Sequence, residues 1–383
     1  MGAPERTGRR PAVSSADAAA RLQTLMAGEH LPGLDGLRCI GFLVVIGTHA
    51  GFRLYGDLGL LAFFVFSGLL ITWLLLREHD GTGAISIPRF YLRRTFRIFP
   101  AYYVFLAFTL TLDLMRGDSR INDLILPSLT YTLNYWQAFN GHTTASVAHA
   151  WSLGVEEQFY LLWPLGLALL LRLGGRTAAV RGLLVVCGLT LLWRVVAHFA
   201  LGLPEHYIYN AFDTRMDALL AGCLLAVLLT ADRTRRAVAR VAGTPGWALV
   251  TLAALLGSRI LLPESYHLTL GLTVDTVLIA VLIVQVFAHS GHPAFRWLEL
   301  PQVRFIGMIT YPMYLYHQWA LGVAGHLPGG AASTWLLLLY GIGVSIGFGA
   351  VSWYLVEKPA LRMRNQVTRW MDRRAARAAH QAA

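Results

Sequence analysis

The chain has 383 residues, of which 56% are apolar and only 14% charged, and it carries a formal charge of +11. An ordinary soluble domain holds about 25% charged residues, so this composition belongs in a bilayer. The basic residues are scattered among apolar stretches and form no face interleaved with aromatics, which excludes a nucleic-acid partner from the first rank of explanations.

Residues 1–30 are rich in Ala, Arg and Ser without the apolar core of a removable signal peptide, and they read as a disordered cytoplasmic tail. Residues 31–362 read as one membrane domain and 363–383 as a basic cytoplasmic tail, with no appended soluble domain. Apolar runs of spanning length follow at 36–52, 58–76, 98–115, 153–172, 180–200, 212–230, 245–262, 269–289, 303–324 and 334–356. Measured against the ~17–25 residues that a membrane helix needs, they predict an all-α, polytopic bundle of about ten transmembrane helices. The 120–140 segment is broken by Pro127 and rich in Tyr and Trp, so it reads as interfacial and stays outside the count. Most of the 32 Lys and Arg residues then fall in the tails and in loops on one side. Arg53, Arg116 and Arg120 are left in outer loops, and Arg194, Arg215 and Arg259 within spans. This asymmetry puts both termini in the cytoplasm, as expected of a multi-pass protein of a bacterial inner membrane. Cys39, Cys187 and Cys223 lie in or beside apolar segments, with neither disulfide nor zinc spacing, and read as small core residues.

The first apolar run carries Arg38 at one end and His49 at the other. Eleven residues at ~100° come within ~20° of three full turns, so both side chains share one stripe, ~16 Å apart along the axis. Either the pair is a snorkelling arginine plus an interfacial histidine, or it marks the two ends of one pocket or tunnel. Before the third run, RFYLRRTFRIFP sets Arg94 and Arg97 three residues apart. They are a positive-inside flank or, if the helix has already begun, two planar forks suited to a phosphate. In HAWSLGVEEQFYLLWP, Glu156 and Glu157 sit at the edge of a span. They are helix-capping acids, or Glu156 orients His49 for proton abstraction from a hydroxyl.

FDTRMDALLAG places Asp213, Arg215 and Asp217 together, where Arg215 is expected to neutralise one or both acids. His317, among the tyrosines of YPMYLYHQW, is a hydrogen-bonded core residue or a second chemical group. Ser67 and Gly68 of FFVFSGLLIT fit close helix packing better than a serine nucleophile. No metal, ATP or dinucleotide fingerprint occurs.

Taken together, these stretches resemble the acyltransferase-3 family of integral membrane O-acyltransferases, over about residues 31–362, in its stand-alone form. LDGLR with His49 looks like the family's opening arginine-to-histidine element, and RRTFRIFP its arginine pair at Arg94 and Arg97. WSLGVEEQFY is similar to the family element that aligns Trp151, Ser152, Glu156 and Gln158. TRMDALLAG, YLYHQW and SWYLVEKP also match in order. Relatives commonly have an acid or amide before the paired phenylalanines of helix two, where this chain has Leu61 and Ala62. The resemblance implies transfer of a short acyl group from acyl-CoA, acetyl-CoA foremost, to a hydroxyl of a sugar, cell-surface glycan or glycosylated metabolite. It also implies His49 as base with Glu156, and Arg38, Arg94 and Arg97 on the donor. No permanently bound cofactor and no metal are expected. The rival reading is a proton- or solute-coupled transporter using the same intramembrane His, Glu and Arg residues. A scaffold or sensor with a degenerate site is a third.

Overall fold

In lipid every backbone N–H and C=O must be paired within the segment, which leaves apolar runs of this length one solution, the helix. The computed structural model describes residues 15–382, and among them all regular structure is helical. The first helix, α1 (Ser15–Ala27), buries Ala18, Leu22 and Leu25 at helical spacing. It is pinned where Trp73 donates its indole N–H to the Met26 carbonyl at 3.0 Å. The disorder expected over 1–30 therefore does not extend to these residues, and Arg6, Arg9 and Arg10 lie outside those described.

Three long helices follow: α2 (Leu34–His49), α3 (Gly56–Thr82) and α4 (Ile87–Met115). Since α4 starts well before its apolar run, Arg94 and Arg97 are already helical and share a face. The 116–150 segment holds only short helices, Ile125–Leu129 and Leu133–Asn140. Helix α5 (Trp151–Val195) joins the fourth and fifth apolar runs. It folds back at Gly175, whose φ of +62° with ψ of −152° is open essentially to glycine alone, and Gly182 then packs against Leu170.

After α5 come α6 (Phe212–Thr230), α7 (Asp232–Ala242), α8 (Trp247–Leu261) and α9 (Leu272–Ala288). The run expected at 303–324 breaks at Ile309 into α10 (Pro301–Met308) and α11 (Thr310–Gly325). The chain closes with α12 (Thr334–Ser352), a π-turn at Trp353–Glu357 and α13 (Lys358–Ala382), so the basic tail continues a helix. Helices α3 and α6 cross closely through two glycines, in keeping with the packing expected of Gly68. A Cβ on Gly68 would lie 1.9 Å from the Leu219 carbonyl oxygen, and one on Gly222 would lie 2.1 Å from that of Val65.

The ten runs are all helical, but they are not ten separate helices of spanning length. Among the described residues, five helices are long and apolar enough to cross a membrane, or six if the bent pair Glu205–Thr230 and Asp232–Ala242 is one span. The shortfall is one of length. Helix α2 has 16 residues and α8 has 15, which at ~1.5 Å each is short of a ~30 Å hydrocarbon core. The α10–α11 run is broken at Ile309, and the fourth and fifth runs are the two limbs of the single element that folds back at Gly175.

Candidate active site

Three helices carry the site. From α2, α5 and α11, Arg38, Ser152, Glu156, Tyr311 and Tyr314 line one cavity, while His49, Trp151 and again Tyr314 line another, with the His317 ring against His49. Two open cavities result. The first, of about 750 Å³, is lined by Arg38, Arg94, Arg97, Ser67, Glu156 and Tyr160 among others. The second, of about 1210 Å³, is lined by His49, His142, His149 and Trp151 among others. Leu60 and Tyr314 line both and so form the partition. The Tyr314 hydroxyl lies 2.8 Å from Ser152 Oγ and donates to the His149 carbonyl at 2.9 Å, which ties α11 to the start of α5.

In the arginine chamber the three arginines line one cavity, where Arg38 and Arg97 meet acids and Arg94 meets an aromatic ring. Arg97 donates to Glu357 at 3.2 Å and to the Met308 carbonyl at 3.4 Å, and its guanidinium lies 5.5 Å from the Trp353 ring centre. Arg94 lies 3.9 Å over the Tyr160 ring, and Arg38 approaches Asp35 at 4.0 Å. Nε of both Arg38 and Arg94 is buried without a hydrogen-bond acceptor, so donor capacity is left unused in the wall. Glu157 also lines this cavity, together with a third, smaller one that shares Arg94 and Tyr160. Glu357 escaped sequence reasoning because it sits some 260 positions from its partner.

Glu156 belongs to this chamber. Its carboxylate accepts from Ser67 Oγ at 3.1 Å and from the Tyr160 hydroxyl at 2.9 Å. The expected Glu156–His49 pair is not formed. Glu156 lines the arginine chamber, a turn beyond Ser152 on α5, whereas His49 and Trp151 line the other.

His49 is exposed to the second chamber, with Nδ1 3.0 Å from the Val45 carbonyl. A carbonyl only accepts, so Nδ1 holds the proton and Nε2 keeps its lone pair. His317 lies against it, ring centres 4.8 Å apart, and His149 lies 4.8 Å from His317. His317 Nδ1 donates to Tyr314 O at 2.6 Å, and His149 Nε2 to Leu315 O at 3.0 Å. His49 Nε2 faces the chamber and His149 Nδ1 is without a partner, whereas His317 Nε2 accepts from the Gln318 amide at 3.4 Å. His149, two residues before Trp151, was passed over by sequence reasoning, as were His142 and His206. In the 116–150 loop, burial and then the neighbouring His49 hold the His142 imidazole below its ordinary pKa.

Two other expectations fare differently. Gln158 bonds to Asn134 Oδ1 at 2.9 Å and to the Tyr131 carbonyl at 3.0 Å, fastening the 116–150 segment to α5, away from the histidines. Asp213 and Asp217 are not neutralised by Arg215. Asp213 accepts from Tyr135 and Tyr207 at 3.0 and 2.9 Å, while Asp217 pairs with Arg194 at 2.7 Å. Residues two apart on a helix face away from each other, which is the reason. Arg215 is 1% exposed, and all three of its guanidinium nitrogens lack a hydrogen-bond partner. It rests 4.9 Å from the Tyr209 ring centre and 5.8 Å from that of Trp151.

The chain is similar to known proteins over most of its length. The family's acyltransferase domain matches residues 31–357. O-acetyltransferase OatA of Staphylococcus aureus strain NCTC 8325 is 31% identical over 316 residues, covering 78% of this chain and 51% of that protein. A putative O-acetyltransferase of S. aureus strain COL is 29% identical over 350 residues, covering 86% of this chain and 57% of its own. The chain thus spans about half the length of these relatives. No solved structure matches it. With a domain match over most of its length and the arginine and histidine elements in order, the chain belongs to the acyltransferase-3 family.

Proposed function

We propose that this protein is a membrane O-acyltransferase that takes a short acyl group, acetyl foremost, from acyl-CoA in the arginine chamber and delivers it to a sugar hydroxyl in the histidine chamber. The observation that carries the reading is the shared partition: one cavity lined by three arginines and one lined by four histidines meet at Leu60 and Tyr314. Arg38, Arg94 and Arg97 hold the donor's phosphates, with Glu156 ordering Ser67 and Tyr160 and offsetting part of the guanidinium charge. His49 Nε2 takes the acceptor's hydroxyl proton as the oxygen attacks the thioester carbonyl. The C–S bond then breaks, and the imidazolium returns the proton to the departing thiolate. An offset of ~16 Å between Arg38 and His49 lies within reach of an extended pantetheine arm, so the transfer needs no acyl-enzyme. The protein is read as lying in a bacterial inner membrane with both termini cytoplasmic, which puts the donor arginines on the side where acyl-CoA is found.

The test is purified protein with acetyl-labelled acetyl-CoA and hydroxyl-bearing sugars. Acceptor-dependent release of CoA with label on the sugar is expected. Failure of every donor and acceptor, with solute flux in reconstituted vesicles, would give the transporter reading its place.

A further inference from the structure

The histidine chamber has a polarity that the proposed reaction does not require. Its lining contains no lysine or arginine, whereas Asp57, Glu205 and Glu264 all border it. Asp57 is bound by Arg259 at 2.6 Å. Glu205 and Glu264 are exposed, and their carboxylates make no hydrogen bond or ion pair among the described residues. They come from two copies of one short pattern, Leu-Pro-Glu-x-Tyr, at 203–207 and 262–266, on connections far apart in the chain. Arg215 stands behind the rings of Tyr209 and Trp151 and is not part of the lining.

A second observation is independent of these acids. Two side chains of the chamber wall, Asn210 at 1% exposure and His149 at 5%, each bury a polar atom without a partner. The Asn210 amide nitrogen donates to the His206 carbonyl at 2.7 Å, which leaves Oδ1 as the unused atom. His149 donates through Nε2 and leaves Nδ1 bare. Both unused atoms are acceptors. A buried acceptor without a donor is costly, so a ligand whose N–H or O–H groups reach these two wall residues would relieve that cost.

We infer that the acceptor of this chamber is a hydroxyl compound that also carries a protonated amine, as an amino sugar does. The ammonium group lies toward Glu205 and Glu264 while a neighbouring hydroxyl reaches His49. The assignment of an acceptor rests on the proposed acyl transfer; the charge preference of the chamber does not.

The experiment separates the two. In a full-length protein with Cys39, Cys187 and Cys223 replaced by Ala, Thr48→Cys puts a thiol in the chamber wall. Its modification rates with trimethylammonium-bearing and sulfonate-bearing methanethiosulfonates are compared, each scaled to the rate with free 2-mercaptoethanol. The expected ratio favours the cation on the order of tenfold, and Glu205→Gln with Glu264→Gln brings it toward unity. A ratio of one or below, or one that the double substitution leaves unchanged, overturns the inference whatever the activity. In parallel, acetyl transfer is measured to methyl glucosaminide, methyl glucoside and methyl glucuronide at a pH that keeps the amine protonated. The glucosaminide is expected to have the highest kcat/KM, and preference for the glucuronide or indifference among the three overturns the assignment. A cation-selective thiol with no transfer to any sugar supports the chamber's polarity and counts against the acyl-transfer reading.

Discussion

Gly68→Ala is expected to disable the protein although it touches neither chamber. The added Cβ would meet the Leu219 carbonyl oxygen at 1.9 Å, while real Cβ atoms essentially never come within 3.0 Å, so α3 and α6 must separate by at least about 1.1 Å. Backbone cannot yield as a side-chain tip does, and overpacking of this kind costs about 1–3 kcal/mol or more. The adjacent Ser67 donates to Glu156 at 3.1 Å, and a shift of that size is enough to break the bond. Gly81, on the same helix, has nothing within 4 Å of its Cβ position, so Gly81→Ala is the control with the opposite sign. It should add roughly 0.5–1 kcal/mol of stability through helix propensity. Apparent unfolding temperature in detergent, read by size-exclusion chromatography after heating, compares the two. If Gly68→Ala unfolds at or above the wild-type temperature, the close α3–α6 crossing is wrong.

Other outcomes follow from the same geometry. His49→Ala should lower turnover per folded molecule by ~10²–10⁴ while donor binding persists, and near-normal turnover would pass the role to His317 or His149. Arg94→Lys and Arg97→Lys keep the charge but lose the planar fork. A several-fold rise in KM for acetyl-CoA is expected, and unchanged KM would return the pair to a topology signal. Arg194→Met strands Asp217 in the interior and should cost about 3–5 kcal/mol, whereas Arg215→Met removes a guanidinium with no hydrogen-bonded partner and should cost far less. The order of their unfolding temperatures decides this, and the reverse order would restore Arg215 as the structural counter-ion.

The membrane class, the helical nature of all ten apolar runs and the family were legible in the sequence because each rests on local composition, spacing or ordered motifs. The shared stripe of Arg38 and His49 was legible too, since a 3.6-residue period fixes direction within one helix. The same period contradicts an Asp213–Arg215–Asp217 triplet, and applying it would have anticipated that correction.

What only the tertiary structure decided is which helices face each other, and at what height. Glu156 and His49 look like partners as residue types, but the level at which α5 meets α2 gives Glu156 to Ser67 and Tyr160. Arg194 reaches Asp217 from another helix, and Glu357 reaches Arg97 across most of the chain. The length of each uninterrupted helix belongs to the same category, because a bend at Gly175 or a break at Ile309 divides an apolar run without changing its hydropathy. Local sequence dictates the direction of a side chain from its own helix axis. The partner it meets depends on where the other axes lie, and that is settled by long-range packing such as the Gly68–Gly222 crossing.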